Sequence, residues 1–419
     1  MPDMLGRVGL ISVSAAKGLI ASVYYKVTGV DVIGIESSVG RVLATDIKSS
    51  EDLPAFSRSV MDGFAIKSSD TFGATESVPA YLNVTHEVFM GKLPDFKVNM
   101  GEAAKIPTGG MLPDGADSVL MLEHTQKLDE NMIEVVRAVA PKENTVLRGE
   151  DVKAGELLFQ RGHQLRPQDA GVLAALGISK VTVHKLPKVA IISTGDEIVP
   201  PESNINPGQV RDINTYTLAA LVKVNGGEPV IMGIFRDDYD TMTEAMSKSL
   251  NCANMVLITG GSSVGTKDLT PKIINSFGAP GVIFHGVALK PGKPTIFGVV
   301  KETPVFGLPG HPSAVMVAFD VFVRGVLLKI AGLSEDCVLS EYSGRVRARI
   351  AKNISSLPGR EDHIWVKVES RDGELWAVPI LGKSGLINTM VKADGVTVVG
   401  ADKRGIPEGY FVDVRLFQK

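Results

Sequence analysis

The stretch Met255–Thr270, MVLITGGSSVGTKDLT, constrains the fold of this 419-residue chain more than any other. Its apolar, β-branched run up to Gly260 suits a strand buried on both faces. Gly260 and Gly261 then let the backbone turn with positive φ and approach a ligand closely. Thr259, Ser262, Ser263 and Thr266 offer hydroxyls, and unhindered backbone N–H groups add donors that surround phosphate oxygens. Asp268 supplies the carboxylate that a divalent metal on those phosphates requires. A glycine turn alone is weak evidence, since most such turns only connect elements.

Here more of the same kind follows. Lys290-Pro291-Gly292-Lys293-Pro294 places two lysines around a tight turn whose freedom is limited by proline and glycine. Fixed ammonium groups suit phosphate or oxyanion binding better than flexible ones. Val305–Leu308 is another apolar strand, running into Pro309, Gly310 and His311. It opens an apolar helix expected from Ser313 to Lys329, with Gly332 as its stop. Upstream, Val189–Ser193 is a short strand followed by Thr194, Gly195, Asp196 and Glu197. Repeated strand-to-glycine transitions imply a sheet whose loops converge at one edge, where open α/β sheets bind ligands.

Length and composition exclude several classes. A chain of 419 residues is too long for one ordinary core and implies two to four domains. The formal net charge of −3 argues against a general nucleic-acid binder. No apolar run approaches the roughly 20 residues of a membrane span, and the N-terminus lacks the pattern of a signal peptide. A cytoplasmic location is expected. The two cysteines, Cys252 and Cys337, make neither a disulfide framework nor a zinc cluster and read as small buried apolar side chains.

The pattern shifts along the chain. Residues 1–53 are mixed. Residues 54–140 carry short alternating strands (Tyr81–Val84, Ala103–Ile106, Ser118–Leu122 and Met132–Ala138) separated by glycine and proline turns, the signature of a small β domain. Within 141–185, Pro167–Leu176 reads as a short helix with proline in its first turn. From 186 to 332 strands alternate with helices, as in a parallel α/β sheet. The segment 333–419 is strand-like again, in Ser343–Ile350, His363–Val368 and Glu374–Val378, and its ending fits a small β-barrel.

These residues resemble one family. VAIISTGDEIV, GQVRDINTYTLAALV, FRDD, ITGGSSVGTKDLT, VALKPGKPTIFG and VFGLPGHPSAV occur in the order seen in molybdopterin molybdenumtransferases, enzymes related to the E domain of gephyrin. LPAFSRSVMDGFAI and IPTGGMLPDGADSVLMLEH look like the family's first two domains, and GEDVKAGELL followed by LGISKVTVHKLPKVAII resembles the return into the first. The resemblance runs from about Val39 to the C-terminus. It implies an α/β plus β multidomain fold: a discontinuous dimerisation domain (1–53 and 141–185), an inserted β domain (54–140), a parallel α/β molybdopterin-binding domain (186–332) and a C-terminal β-barrel-like domain (333–419).

It also implies an activity: insertion of molybdate or tungstate into adenylylated molybdopterin, with release of AMP. Asp62, Glu197 and Asp268 become the expected catalytic acids. On sequence alone Asp62 is a turn residue stabilising its own backbone, and Glu197 an ordinary acid at a helix start. Thr108, Thr194, Gly260, Gly261, Ser262, Ser263, Gly265, Lys290, Lys293, Pro309, Gly310 and His311 become substrate-binding. Asp268, Asp237, Asp151 and Glu197 become ligands of Mg2+, although Asp151 and Asp237 also read as solvated loop acids. A homodimer and a transient contact with molybdopterin adenylyltransferase complete the expectation.

Two departures stand out. His311 lies where the family has asparagine, a better helix cap; it reads equally as structural or as a group contacting phosphate. The first 35 or so residues match poorly. Two other functions share parts of the pattern. Molybdopterin adenylyltransferase has the glycine-serine loop but lacks Ser59-Val60-Met61-Asp62-Gly63 and the C-terminal β domain. A gephyrin-like scaffold would not need Asp62, Asp268, Lys290 and Lys293.

Overall fold

The computed structural model describes residues 9–260, 269–334, 344–380, 382, 385 and 387–417. The chain forms two compact units, one of residues 1–45, 161–166 and 181–419, the other of 46–160 and 167–180.

The first unit is built on a six-stranded sheet. Its spatial order is Glu228–Phe235, Lys188–Thr194, Met255–Gly260, Thr303–Leu308, Ile296–Val300 and Pro280–His285. The first four strands are parallel, Ile296–Val300 runs antiparallel to them, and Pro280–His285, antiparallel to that strand, restores their direction. The β-branched run Met255–Thr259 is buried throughout, as a strand covered on both faces must be. Alternation shows why. Met255 and Leu257 enter one core, with Val13, Ala16, Leu218, Val222, Phe319 and Leu327. Val256 and Ile258 enter another, with Met242, Ala245, Met246, Ile273 and Ile274. Helices Val13–Ala21, Asn214–Val224 and Arg324–Ile330 thus cover one face, and Tyr239–Cys252 and Leu269–Ser276 the other. The N-terminal helix, expected only as a helical part without diagnostic residues, is capped by the Ser12 hydroxyl and tied to the sheet domain where Ile11 bridges Val287.

The expected long helix after Pro309 is present but interrupted. It runs as α-helix over Pro312–Ala318, widens to a π-turn over Phe319–Val323 and resumes over Arg324–Ile330. Asp320, inside that turn, pairs with Arg415 of the C-terminal domain, a contact that helical periodicity does not register. Gly332 ends the helix as expected. With φ at +85°, its N–H bonds the Lys329 carbonyl and Leu333 N–H bonds Leu328, the reciprocal pair of a Schellman stop.

The C-terminal strands close into a barrel. Glu361–Arg371, Glu374–Pro379, Arg345–Ile350, Phe411–Leu416 and Gly395–Val399 pair in that order, and the last pairs again with the first. Closure leaves these five strands without an open edge at the seam. Ala348, Ile350, Val366, Ala377, Val399, Val412 and Val414 fill the interior. Trp365 and Val396 face outward into the core beside the α/β sheet, so barrel and sheet share one buried interface.

The second unit holds a six-stranded mixed sheet ordered Ser118–Met121, Gly63–Ile66, Glu102–Ile106, Ala80–Glu87, Met132–Val135 and Thr125–Lys127. Each of the four strands expected there exists, with ends shifted by a few residues. Helix Pro167–Ala175 begins at its proline as expected. Cys252 departs from expectation: it is exposed, in the last turn of helix Tyr239–Cys252, where burial was expected. Its thiol lies 3.6 Å from the Ser249 carbonyl. Cys337 lies outside the described residues.

Candidate functional site

In the first unit, the site is the C-terminal edge of the parallel sheet. Register aligns Thr194 with Gly260 and Phe235, and Thr259 with Leu308. The segments starting at Gly195, Arg236, Gly260 and Pro309 therefore leave neighbouring strand ends together. Of the expected phosphate loop, Gly261, Ser262, Ser263, Gly265 and Asp268 lie outside the described residues, whereas Gly260 is described. Its φ is +108°, and an added Cβ would stand 1.9 Å from the Thr194 carbonyl oxygen. Glycine is required there by conformation and by the close approach of the neighbouring strand.

Thr194, buried, donates its hydroxyl to Asp237. The adjacent Asp238 has a different task, capping helix Tyr239–Cys252 through Thr241 N–H at 2.8 Å. Those bonds from Thr241 hold the Asp238 carboxyl below the usual carboxylate range. Glu197 folds back over Gly195, whose added Cβ would lie 3.0 Å from its Oε2. Asp237 and Glu197 are thus both carried by segments leaving adjacent strands.

Asn214 escaped the sequence reading although it lies in GQVRDINTYTLAALV. Its Nδ2 donates to Thr259 Oγ1 at 2.9 Å and to the Gly310 carbonyl at 2.8 Å. A carbonyl only accepts, so this fixes which end of the amide faces the loops. Oδ1 is a buried acceptor without a partner among the described residues. Thr259 in turn reaches the Pro309 carbonyl at 3.4 Å. Asn214 is the clasp between the Gly260 turn and the Pro309-Gly310 turn. His311 starts the next helix with its carbonyl, which accepts from Ala314 and Val315 at 3.0 Å each, and its side chain makes no cap. Gly385 of the C-terminal domain approaches it, an added Cβ falling 3.8 Å from His311 Cδ2.

The lysine loop joins the same edge, since it links His285 to Ile296, its pairing partner, and Ile296 pairs with Gly307 near the end of Thr303–Leu308. Leu289 and Lys290 pair in parallel with Glu361 and Asp362 of the barrel. The loop is closed by Val287 N–H to the Lys293 carbonyl at 2.9 Å and by the buried Thr295 hydroxyl to the Gly292 carbonyl at 2.7 Å. Lys290 Nζ stands 3.5 Å from Asp362.

In the second unit, Asp62 and Thr108 come together. One oxygen of Asp62 accepts the Thr108 N–H at 2.7 Å and its hydroxyl at 2.9 Å. The bond from the backbone N–H, then that from the hydroxyl, holds the Asp62 carboxyl below the usual range. Thr108's only hydroxyl hydrogen is committed to Asp62, so toward any further partner the hydroxyl presents lone pairs. Gly63 is obligatory, since an added Cβ would meet the Leu120 carbonyl oxygen at 2.0 Å. Asp151 lies on a separate, exposed loop, its N–H bonded to the Leu53 carbonyl at 3.0 Å. That loop is pinned by Asp52, which accepts Arg148 Nε at 2.8 Å and Ala154 N–H at 2.9 Å.

Among the described residues, no three histidine, cysteine or acidic side chains gather to hold a metal ion. Magnesium commonly takes only one or two carboxylates, completing its shell with phosphate oxygens and water. Asp237 and Glu197 at the sheet edge fit that donor set. No helix among the described residues is long and apolar enough to cross a membrane.

Residues 11–177 match the family described as MoeA N-terminal region (domain I and II). Residues 190–329 match the probable molybdopterin binding domain, and 347–417 the MoeA C-terminal region (domain IV). A putative molybdopterin biosynthesis protein of Methanocaldococcus jannaschii is 35% identical, over 94% of this chain and 93% of its own. The molybdopterin molybdenumtransferase of Nostoc sp. is 35% identical over 82% of this chain and 78% of its own. The crystal structure of the molybdopterin biosynthesis MoeA protein of Pyrococcus horikoshii superposes with a TM-score of 0.84 at 33% identity, over 98% of this chain and all of that one. Alike in sequence and fold from end to end, the chain belongs to the MoeA family of molybdopterin molybdenumtransferases.

Proposed function

We propose that this chain inserts molybdate, or tungstate, into adenylylated molybdopterin and releases AMP. The observation that carries this reading is the 35% identity to the Nostoc molybdopterin molybdenumtransferase across 78% of that enzyme. The neighbouring reading, an adenylyltransferase, accounts for neither the Asp62–Thr108 pair nor the closed barrel.

Both substrates are anions, so the site must offset charge before chemistry. Thr194, Gly260, Gly261, Ser262, Ser263 and Gly265, with Pro309, Gly310 and His311, bind the substrate, and Lys290 and Lys293 neutralise phosphate oxygens. Asp237 and Glu197, joined by Asp268, would hold Mg2+, which would supply polarisation of the phosphoanhydride. Loss of oxo ligands as water consumes protons. Asp62, held ionised by Thr108, suits accepting a proton from solvent and passing it to a departing oxo ligand. Water attacks the anhydride phosphorus as the bridging P–O bond breaks, leaving AMP and a monophosphate on the pterin, which makes insertion hard to reverse.

In this reading residues 1–53 with 141–185 form the dimerisation domain, 54–140 the inserted β domain, 186–332 the molybdopterin-binding domain and 333–419 the C-terminal domain. The protein works as a cytoplasmic homodimer and receives its substrate by transient contact with molybdopterin adenylyltransferase. The test incubates purified protein with adenylylated molybdopterin, magnesium and each oxyanion and measures AMP. Oxyanion-dependent release is expected. Absence of release, or ATP-dependent adenylylation of free molybdopterin instead, would overturn the assignment.

A further inference from the structure

We propose that Asp362 is a positioning residue for the substrate-binding lysine loop: a buried carboxylate that holds the Lys290 ammonium in place, with Arg360 as its second partner. The inference rests on the reading of Lys290 as a phosphate-binding group.

Asp362 is fully buried, in barrel strand Glu361–Arg371. Arg360 grips it with both arms of the guanidinium, Nε to Oδ1 at 2.7 Å and Nη2 to Oδ2 at 3.2 Å. That fork already supplies the paired cation a buried carboxylate requires. Lys290 is a second cation on the same group, 3.5 Å from Oδ2, with 56% of its side chain exposed. The backbone repeats the link, because Lys290 and Asp362 are register partners and Glu361 N–H bonds the Ala288 carbonyl at 2.9 Å.

The consequence is chemical. A lysine is a flexible point charge, and holding its ammonium removes rotamers that binding would otherwise have to remove. One carboxylate between two cations leaves net positive charge, so the cluster still attracts a phosphate. Lys290 also keeps N–H donors beyond the one aimed at Asp362. Held at its carbonyl by the loop closure, Lys293 needs no such anchor to stay in the turn. The barrel, on this account, contributes to substrate binding through a residue that never touches the substrate.

The test is a double-mutant cycle in the full-length protein, with Asp362→Asn, Lys290→Met and the two combined. The readout is kcat and KM for adenylylated molybdopterin in oxyanion-dependent AMP release. Asp362→Asn is expected to raise KM about tenfold with kcat little changed, the pattern of lost uniform binding. Lys290→Met should raise KM at least as far, and the combined variant no further than Lys290→Met alone. A purely structural Asp362 would lower activity on the Lys290→Met background as well, and that additivity overturns the proposal. So does an unchanged KM in Asp362→Asn. If Lys290→Met behaves as wild type, Lys290 does not bind substrate, and that reading falls together with this inference. If Asp362→Asn is recovered unfolded because Arg360 is left unpaired, Arg360→Gln with Asp362→Asn removes the whole fork and enters the same cycle.

Discussion

Thr108 gives both of its donors, the backbone N–H at 2.7 Å and the hydroxyl at 2.9 Å, to a single oxygen of Asp62. The pair is exposed and built from two loops 46 residues apart. It makes the carboxylate both oriented and hard to protonate.

The pH dependence follows from that bond. Asp62's folded pKa is lowered, so activity that needs its carboxylate holds above the usual aspartate range and fails only as pH falls through the depressed value. Thr108→Val removes the hydroxyl donor, leaves the backbone donor and raises that pKa. The acid limb of kcat/KM should therefore move to higher pH in Thr108→Val. A limb that stays in place would show that Asp62 does not titrate in the rate.

Two glycines should respond with opposite signs. Gly260→Ala forces a Cβ to within 1.9 Å of the Thr194 carbonyl at a φ of +108°. It should cost at least about 3 kcal/mol, since backbone strain and overpacking combine. Gly171 sits inside helix Pro167–Ala175 with nothing within 4 Å of an added Cβ. Gly171→Ala should stabilise by roughly 0.5–1 kcal/mol. Thermal or urea melts of both variants check the pair.

Metal removal tests the acids assigned to Mg2+. Asp268→Asn should abolish oxyanion-dependent AMP release in a folded protein, EDTA should mimic it on wild type, and magnesium should restore only the wild type. Asp237→Asn keeps an acceptor for the Thr194 hydroxyl but loses the charge, so its loss should be partial and relieved by excess magnesium. Full activity of Asp268→Asn would eliminate the metal role assigned to it.

The cysteines should be dispensable. Cys252 is exposed, so Cys252→Ser should shift stability by no more than about 0.5 kcal/mol. With Cys337→Ser added, turnover should persist, because the pterin brings its own sulfurs. A folded double variant without turnover would point to thiolate ligation by the protein.

Periodicity and glycine placement made the sheet legible. Val189–Ser193, Met255–Thr259 and Val305–Leu308 read as buried strands because a strand covered on both faces admits few polar residues. The first helix was legible only as a helical part without bounds, as Lys17 and Gly18 interrupt an apolar pattern whose burial only its place over the sheet explains. Cys252 misled because composition says a cysteine is usually inside, while its position at a helix end puts it in water.

The family, the buried strands Val189–Ser193, Met255–Thr259 and Val305–Leu308 and the turns after them are local properties: β-branched runs, glycines that alone tolerate positive φ, and motifs read in order. The clasp from Asn214 to Thr259 and Gly310, the bond from Thr194 to Asp237 and the hold of Asp362 on Lys290 exist only once the sheets have assembled. Those contacts join segments 43 to 96 residues apart at the sheet edge. They are set by strand order and register, which no local pattern in the chain records.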